Sequence, residues 1–180
     1  IALVQTISRR TLRPLVDEAV YEGYEHRLVS LARFQDLLHR READGMGLAE
    51  VVELATGAAI DGVRDRVDIG GPPVQLPPDG AEAISLVLHE LATNACKYGA
   101  LSGPDGRLSI AWRVAAGGNM ASVELTWTES GGPGVAPPSG PGFGTTMMEL
   151  AMRSLEGGAV EQAFAPEGLR AVLRFPVLAR

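Results

Sequence analysis

The period of hydrophobic positions changes several times along the chain, and each change predicts an element. Ile84, Leu88, Leu91 and Ala95 recur four, three and four residues apart, which is one face of a helix. That helix is predicted from about Asp79 to Tyr98, with Gly99 as its stop. Along one edge of the stripe, Glu90, Asn94 and Lys97 repeat at four and three. Upstream, Ile1, Val4 and Ile7 predict the tail of a helix over residues 1–13, with Pro14 as a stop or kink. The chain opens inside that pattern without a cap, as a piece of something longer would. Tyr24, Leu28, Leu31 and Leu38 predict a second helix, Tyr21 to Arg40, near heptad spacing. Two such helices on a short connection form an antiparallel hairpin whose leftover apolar surface suits a dimer. Past Gly45-Met46-Gly47, a third helix is predicted from Leu48, Val51, Val52, Leu54 and Ala55.

Strict alternation then takes over. Val67 to Ile69 and Val74 to Leu76 read as short strands around a Gly-Gly-Pro-Pro turn. Leu108, Ile110, Trp112 and Val114 alternate inward, Gly117-Gly118-Asn119 turns, and Val123, Leu125 and Trp127 alternate inward again. The same parity carries Glu129 toward the covered face. An acid there is costly unless paired. Either the strand ends at Thr128 and Glu129 turns into water, or a ligand donates hydrogen bonds to it. Glycines and prolines fill residues 130–142, and Phe143-Gly144-Thr145 leads into a helix with Met147, Leu150, Ala151 and Leu155 apolar. Such an N-terminus suits a phosphate. A last hairpin turns at Pro166-Glu167-Gly168, with Leu169, Ala171, Leu173 and Phe175 alternating against Arg170 and Arg174. Strands arriving as hairpins with helices between the pairs predict a two-layer α+β sandwich and not a Rossmann sheet. A Gly-x-x-x-x-Gly-Lys-Ser/Thr loop and a complete Gly-x-Gly-x-x-Gly are both missing.

Composition narrows the function. A 46% hydrophobic content supports a globular core, and a net charge of −6 argues against a nucleic-acid partner. No apolar run approaches the ~20 residues that span a bilayer. Arg9 and Arg10 follow the first apolar residues instead of preceding them, unlike a signal peptide. A single cysteine, Cys96, excludes an internal disulfide and fits a reducing, cytoplasmic setting. His26 and His39 lack metal spacing to His89 and read as solvent-facing helix residues. Asn and Thr are poor mid-helix residues, so Thr93 and Asn94 need a reason. One reading is a solvated flank with a Glu90–Lys97 contact. The other is a magnesium–phosphate site, an amide oxygen for the metal and a lysine for the charge.

The stretch His89-Glu90-Leu91-Ala92-Thr93-Asn94-Ala95 is followed by Lys97-Tyr98-Gly99-Ala100-Leu101-Ser102. Trp127-x-Glu129 with Gly131-Gly132-Pro133, and then Gly142-Phe143-Gly144, complete the set. It resembles the HWE family of bacterial sensor histidine kinases. The resemblance implies a dimerisation and histidine-phosphotransfer hairpin over residues 1–44. Over residues 46–180 it implies a catalytic ATP-binding domain of the Bergerat (GHKL) type. Asn94 would hold Mg²⁺ bridging the ATP phosphates, and Glu90 would orient water or aid proton removal. Lys97 would meet phosphate oxygens, with His89 at the site margin. Glu129 would accept the adenine amino group, while Gly131, Gly142, Gly144 and Thr145 would line the nucleotide. A response-regulator receiver domain would be the partner, and the helices would form a homodimer. The family's phosphoacceptor His-Arg-x-x-Asn box is expected just upstream of Ile1. His26-Arg27-Leu28 imitates it but falls in the second helix, and Thr145-Thr146 stand where a basic residue is common. Two alternatives compete: a non-enzymatic phosphotransfer or docking module with a degenerate ATP domain, and a GHKL-type kinase acting on a partner's serine.

Overall fold

The computed structural model describes residues 2–18, 21, 24–25, 45–115, 120–134 and 143–178. The chain divides into two compact units, Ile1–Ala43 and Asp44–Arg180.

In the smaller unit, α1 (Ala2–Thr11) ends ahead of Pro14, whose ring disfavours helical backbone at the residue before it. The Ser8 and Tyr24 hydroxyls are 2.9 Å apart, and the Arg9 guanidinium donates to Glu25 at 2.9 Å. Arg13 pairs with Glu18 and lies 5.7 Å from the Tyr21 ring centroid. Leu28, Leu31, Leu38, His26 and His39 lie outside the described residues.

The larger unit runs β1 (Met46–Gly47), α2 (Leu48–Ile60), β2 (Val67–Gly70), β3 (Gln75–Leu76) and α3 (Pro78–Lys97), followed by β4 (Arg107–Ala115) and β5 (Met120–Ser130). It closes with α4 (Phe143–Arg153), β6 (Ala159–Ala165) and β7 (Gly168–Leu178). Five strands form a mixed sheet in the order β2-β4-β5-β7-β6, and β1 pairs with β3 in a separate ladder. Leu108, Ile110, Val123, Leu125, Trp127, Ala171, Leu173 and Phe175 are buried on one face. The alternating positions Arg113, Glu124, Arg174 and Glu161 form an ion-pair chain on the other. Each large apolar side chain withdrawn from water contributes about 1.5–3 kcal/mol, so the alternation alone fixes which face the helices cover.

The two strands flanking Gly70-Gly71-Pro72-Pro73 do not pair with each other. Val67–Gly70 lies parallel to β4, and Gln75–Leu76 lies antiparallel to Met46–Gly47. Pro72 and Pro73 lack the N–H groups a hairpin ladder needs. The Pro72 carbonyl instead accepts the Trp112 indole N–H at 2.7 Å, and a Cβ on Gly71 would overlap that indole. The β2–β4 pair is reached through α3 as a crossover, so the strands are not all hairpins.

α3 opens with Pro78 at its first turn and Asp79 beside it, which suits free N–H groups and the helix dipole. Ile84, Leu88, Leu91 and Ala95 are fully buried, as the stripe predicts, but so are Val87 and Ala92. α3 packs against both α2 and α4, so its apolar arc is wider than one stripe. In α4 the buried positions are Met148 and Met152, whereas Leu150 is 56% exposed. Several four-apart apolar pairs coexist in that helix, and packing against α3 selects among them. Val114, expected inward, is 42% exposed, at the end of β4 farthest from Leu108. Leu54 in α2 is likewise exposed.

Candidate functional site

β5 pairs with β4 so that Trp127 sits opposite Ile110 and Glu129 opposite Leu108. Both side chains therefore point to the covered face, where Trp127 is 0% and Glu129 3% exposed. Glu129 does not turn into water. Its Oε1 accepts the Trp127 indole N–H at 2.9 Å, and its Oε2 accepts the Ala100 backbone N–H at 2.8 Å. The donors are the chain's own, which neither sequence-based outcome anticipated. Charge-assisted bonds of this kind are about twice as strong as neutral ones, and a carboxylate keeps further lone pairs free.

The second donor depends on how α3 ends. The Asn94 carbonyl accepts the N–H groups of Tyr98 and Gly99 at 2.8 and 2.9 Å. Gly99 has φ −96°, so the residue is not needed for a left-handed turn. It is needed for room, because a Cβ there would overlap the Glu129 carboxylate. The chain then makes a 3-10 turn, Ala100–Ser102. The Asn94 backbone carbonyl, the Gly99 N–H, the Ala100 N–H and the Glu129 carboxylate thus follow one another at one end of α3.

The loop beyond that turn presses on the segment after β5. Gly131 has φ 71°, and a Cβ on it would come 2.9 Å from the Asp105 carbonyl oxygen. A Cβ on Gly132 would overlap Ala100. Arg66 ties the loop together: its guanidinium donates to the carbonyls of Leu101, Gly103, Pro104 and Gly106. Cys96 donates to the Ala59 carbonyl at 3.2 Å. Burial raises its thiol pKa, the Glu129 charge raises it further, and Arg66 opposes both.

The other candidates fall on α3 and α4. Glu90 is buried and engaged by the surrounding chain. His89 and Asn94 are half-buried, and Lys97 is exposed. Gly144 and Thr145 lie half-buried in the first turn of α4, which packs on α3, and Gly142 lies outside the described residues. Sequence reasoning missed Trp127 as a donor, Ala100 as the second donor, and Arg66. Trp127 was findable, since residues two apart in a strand share a face; Arg66 gives no local signal.

The fold is that of GHKL histidine kinase catalytic domains. The histidine kinase domain of Erythrobacter litoralis EL346 blue-light activated histidine kinase superposes with a TM-score of 0.63 at 17% identity, covering 96% of this chain and 81% of that one. The mycobacterial sensor histidine kinase MprB superposes at 0.52 with 19% identity over 73% of this chain and 96% of that one. In sequence, the family model described as HWE histidine kinase matches residues 1–73. A blue-light-activated histidine kinase of Brucella anthropi is 32% identical over 169 residues, 93% of this chain and 34% of the relative. Its Brucella ovis counterpart is 30% identical over 169 residues, 93% of this chain and 35% of the relative. Residues 1–73 thus match the HWE histidine kinase family, and the likeness to the blue-light-activated histidine kinases runs over 93% of the chain. It spans about a third of the length of the curated relatives it matches.

Proposed function

We propose that the chain is a sensor histidine kinase core whose larger unit binds Mg·ATP. In this reading residues 46–180 are the catalytic domain, and residues 1–44 the helical hairpin through which two copies dimerise. The γ-phosphoryl group goes to a histidine on such a hairpin and then to an aspartate of a response-regulator receiver domain. The observation that carries the reading is the Glu129 carboxylate, buried and held by two N–H donors against the end of α3. A fixed acceptor with spare lone pairs suits the exocyclic amine of adenine.

The remaining donor set fits the rest of the nucleotide. Asn94 offers an amide oxygen, Lys97 a cation, and the first turn of α4, at Gly144 and Thr145, free N–H groups. Among the described residues no group of three or more His, Cys, Asp or Glu could hold a metal. An ion sharing one amide oxygen with phosphates and water is the kind that fits, as Mg²⁺ does. When bound, Mg²⁺ neutralises phosphate charge. Glu90 orients water or aids proton removal, His89 lies at the margin, and Gly131 and Gly142 let backbone approach the ligand. Catalysis then is mostly positioning plus charge stabilisation. Among the described residues no helix is long and apolar enough to cross a membrane.

Titration of the chain with Mg·ATP tests this. The parent binds, and Asn94→Ala weakens binding about tenfold or more, the equivalent of losing about 1.4 kcal/mol of contact. No binding by the parent would favour the docking-module alternative.

A further inference from the structure

We propose that Arg66, which lies outside every motif of the site, is a positioning residue that sets adenine selectivity by fixing the donor that orients Glu129. The inference rests on the reading of Glu129 as the acceptor for the base.

Arg66 closes the 3-10 segment Asp61–Arg66 and is separated from the loop it grips by the whole of α3. Its guanidinium is the hub of that loop, with four carbonyls, Leu101, Gly103, Pro104 and Gly106, turned toward one planar cation. Carbonyls converging in this way repel one another without a donor among them. An arginine fork satisfies several at once, whereas a lysine is a point donor. Ala100, whose N–H holds Glu129 Oε2, opens the turn immediately before the first of these carbonyls. The same loop presses directly on the turn, because a Cβ on Gly106 would overlap the Ala100 carbonyl. The direction of the Ala100 N–H is thus fixed by the loop, and the loop is fixed by Arg66. The other donor to Glu129, Trp127, is locked within the sheet core. Arg66 can therefore be altered without touching the acid or its strand.

The reading is tested by titrating the 180-residue chain and its variants with Mg·ATP and with the magnesium complex of purine riboside triphosphate, which lacks only the 6-amine. Glu129→Gln lowers the preference of the parent for ATP, and Arg66→Met does the same, by about tenfold through misplacement of the acceptor. Arg66→Lys, which keeps the charge but not the fork, fails to restore it. Arg64→Met leaves it unchanged, because Arg64 binds the Val67 carbonyl and Glu53 instead. A fold weakened in general would weaken both nucleotides alike and leave the ratio intact. Should Arg66→Met not fold, Gly106→Ala displaces the same turn with Arg66 in place, and its ratio falls too. If Arg66→Lys and Gly106→Ala keep the parental ratio while Glu129→Gln lowers it, the role of Arg66 is refuted and that of Glu129 stands. If Glu129→Gln itself keeps the ratio, Glu129 is not the base acceptor, and the inference about Arg66 falls with it.

Discussion

Glu129→Gln changes almost no volume, so its effect on stability isolates charge and hydrogen bonding at the end of β5. Both carboxylate oxygens accept from an N–H, Trp127 Nε1 at 2.9 Å and Ala100 N at 2.8 Å. A glutamine has one acceptor oxygen and one NH₂ group. Whichever way it is turned, the NH₂ meets an N–H head-on. A hydrogen bond to a charged group contributes about 1.5–3 kcal/mol, and a buried donor left unsatisfied costs about 1–3 kcal/mol. Removing a charge from a 3% exposed site returns part of this as relieved desolvation. The balance is a destabilisation of about 2–4 kcal/mol. Urea unfolding followed by tryptophan fluorescence reads it directly, since the only tryptophans, Trp112 and Trp127, both lie in the larger unit. With a slope of about 2 kcal/mol/M, the midpoint drops by about 1–2 M. A companion cycle with Trp127→Phe shows a coupling of about 1 kcal/mol or more, because both changes remove the same bond. A shift within about 0.5 kcal/mol of the parent, the usual size for a surface substitution, would refute the buried arrangement.

Cys96 alkylates slowly near neutral pH compared with a small free thiol, because burial first and the Glu129 charge second hold its pKa up. Glu129→Gln, compared at a temperature where both chains stay folded, speeds the reaction; an unchanged rate would show that the acid is not felt at the sulfur. Glu124 titrates below the ordinary carboxylate range because Arg174 and then Arg113 donate to it. Its folded pKa lies below its unfolded one, so its contribution is fully present above the unfolded value and fades as pH falls through the folded one. Glu124→Gln therefore flattens the acid limb of the stability curve and leaves its shape near neutrality alone; an unaltered acid limb would contradict the ion-pair chain.

Period and parity made much of this unit legible. Ile84, Leu88, Leu91 and Ala95 announce α3, and the alternation ending at Trp127 carries Glu129 inward, because a strand has only two faces. What stayed hidden depended on partners remote in sequence. Nothing in Val67–Ile69 says that its neighbour lies beyond a whole helix, and Gln75–Leu76 is too short to declare that it pairs with Met46–Gly47. Apolar positions at several phases in α4 allow more than one buried face, and only α3 decides between them. Gly99 reads as a helix stop, yet its φ is ordinary; the reason for a glycine there is the acid arriving from β5. Arg66 is the extreme case, a lone basic residue whose role exists only once a loop folds back over it.

Gly45, at φ 73° and with no room for a Cβ beneath the Leu76 carbonyl, delivers the backbone onto the two-residue ladder of β1 and β3. The partner strand runs straight into Pro77 and Pro78, the root of the helix that bears Asn94. Because the strands are antiparallel, Gly45 and Pro77 leave the ladder at the same end. A pull on Gly45 away from Pro77 therefore loads the two ladder pairs one after the other, directly at the root of the central helix.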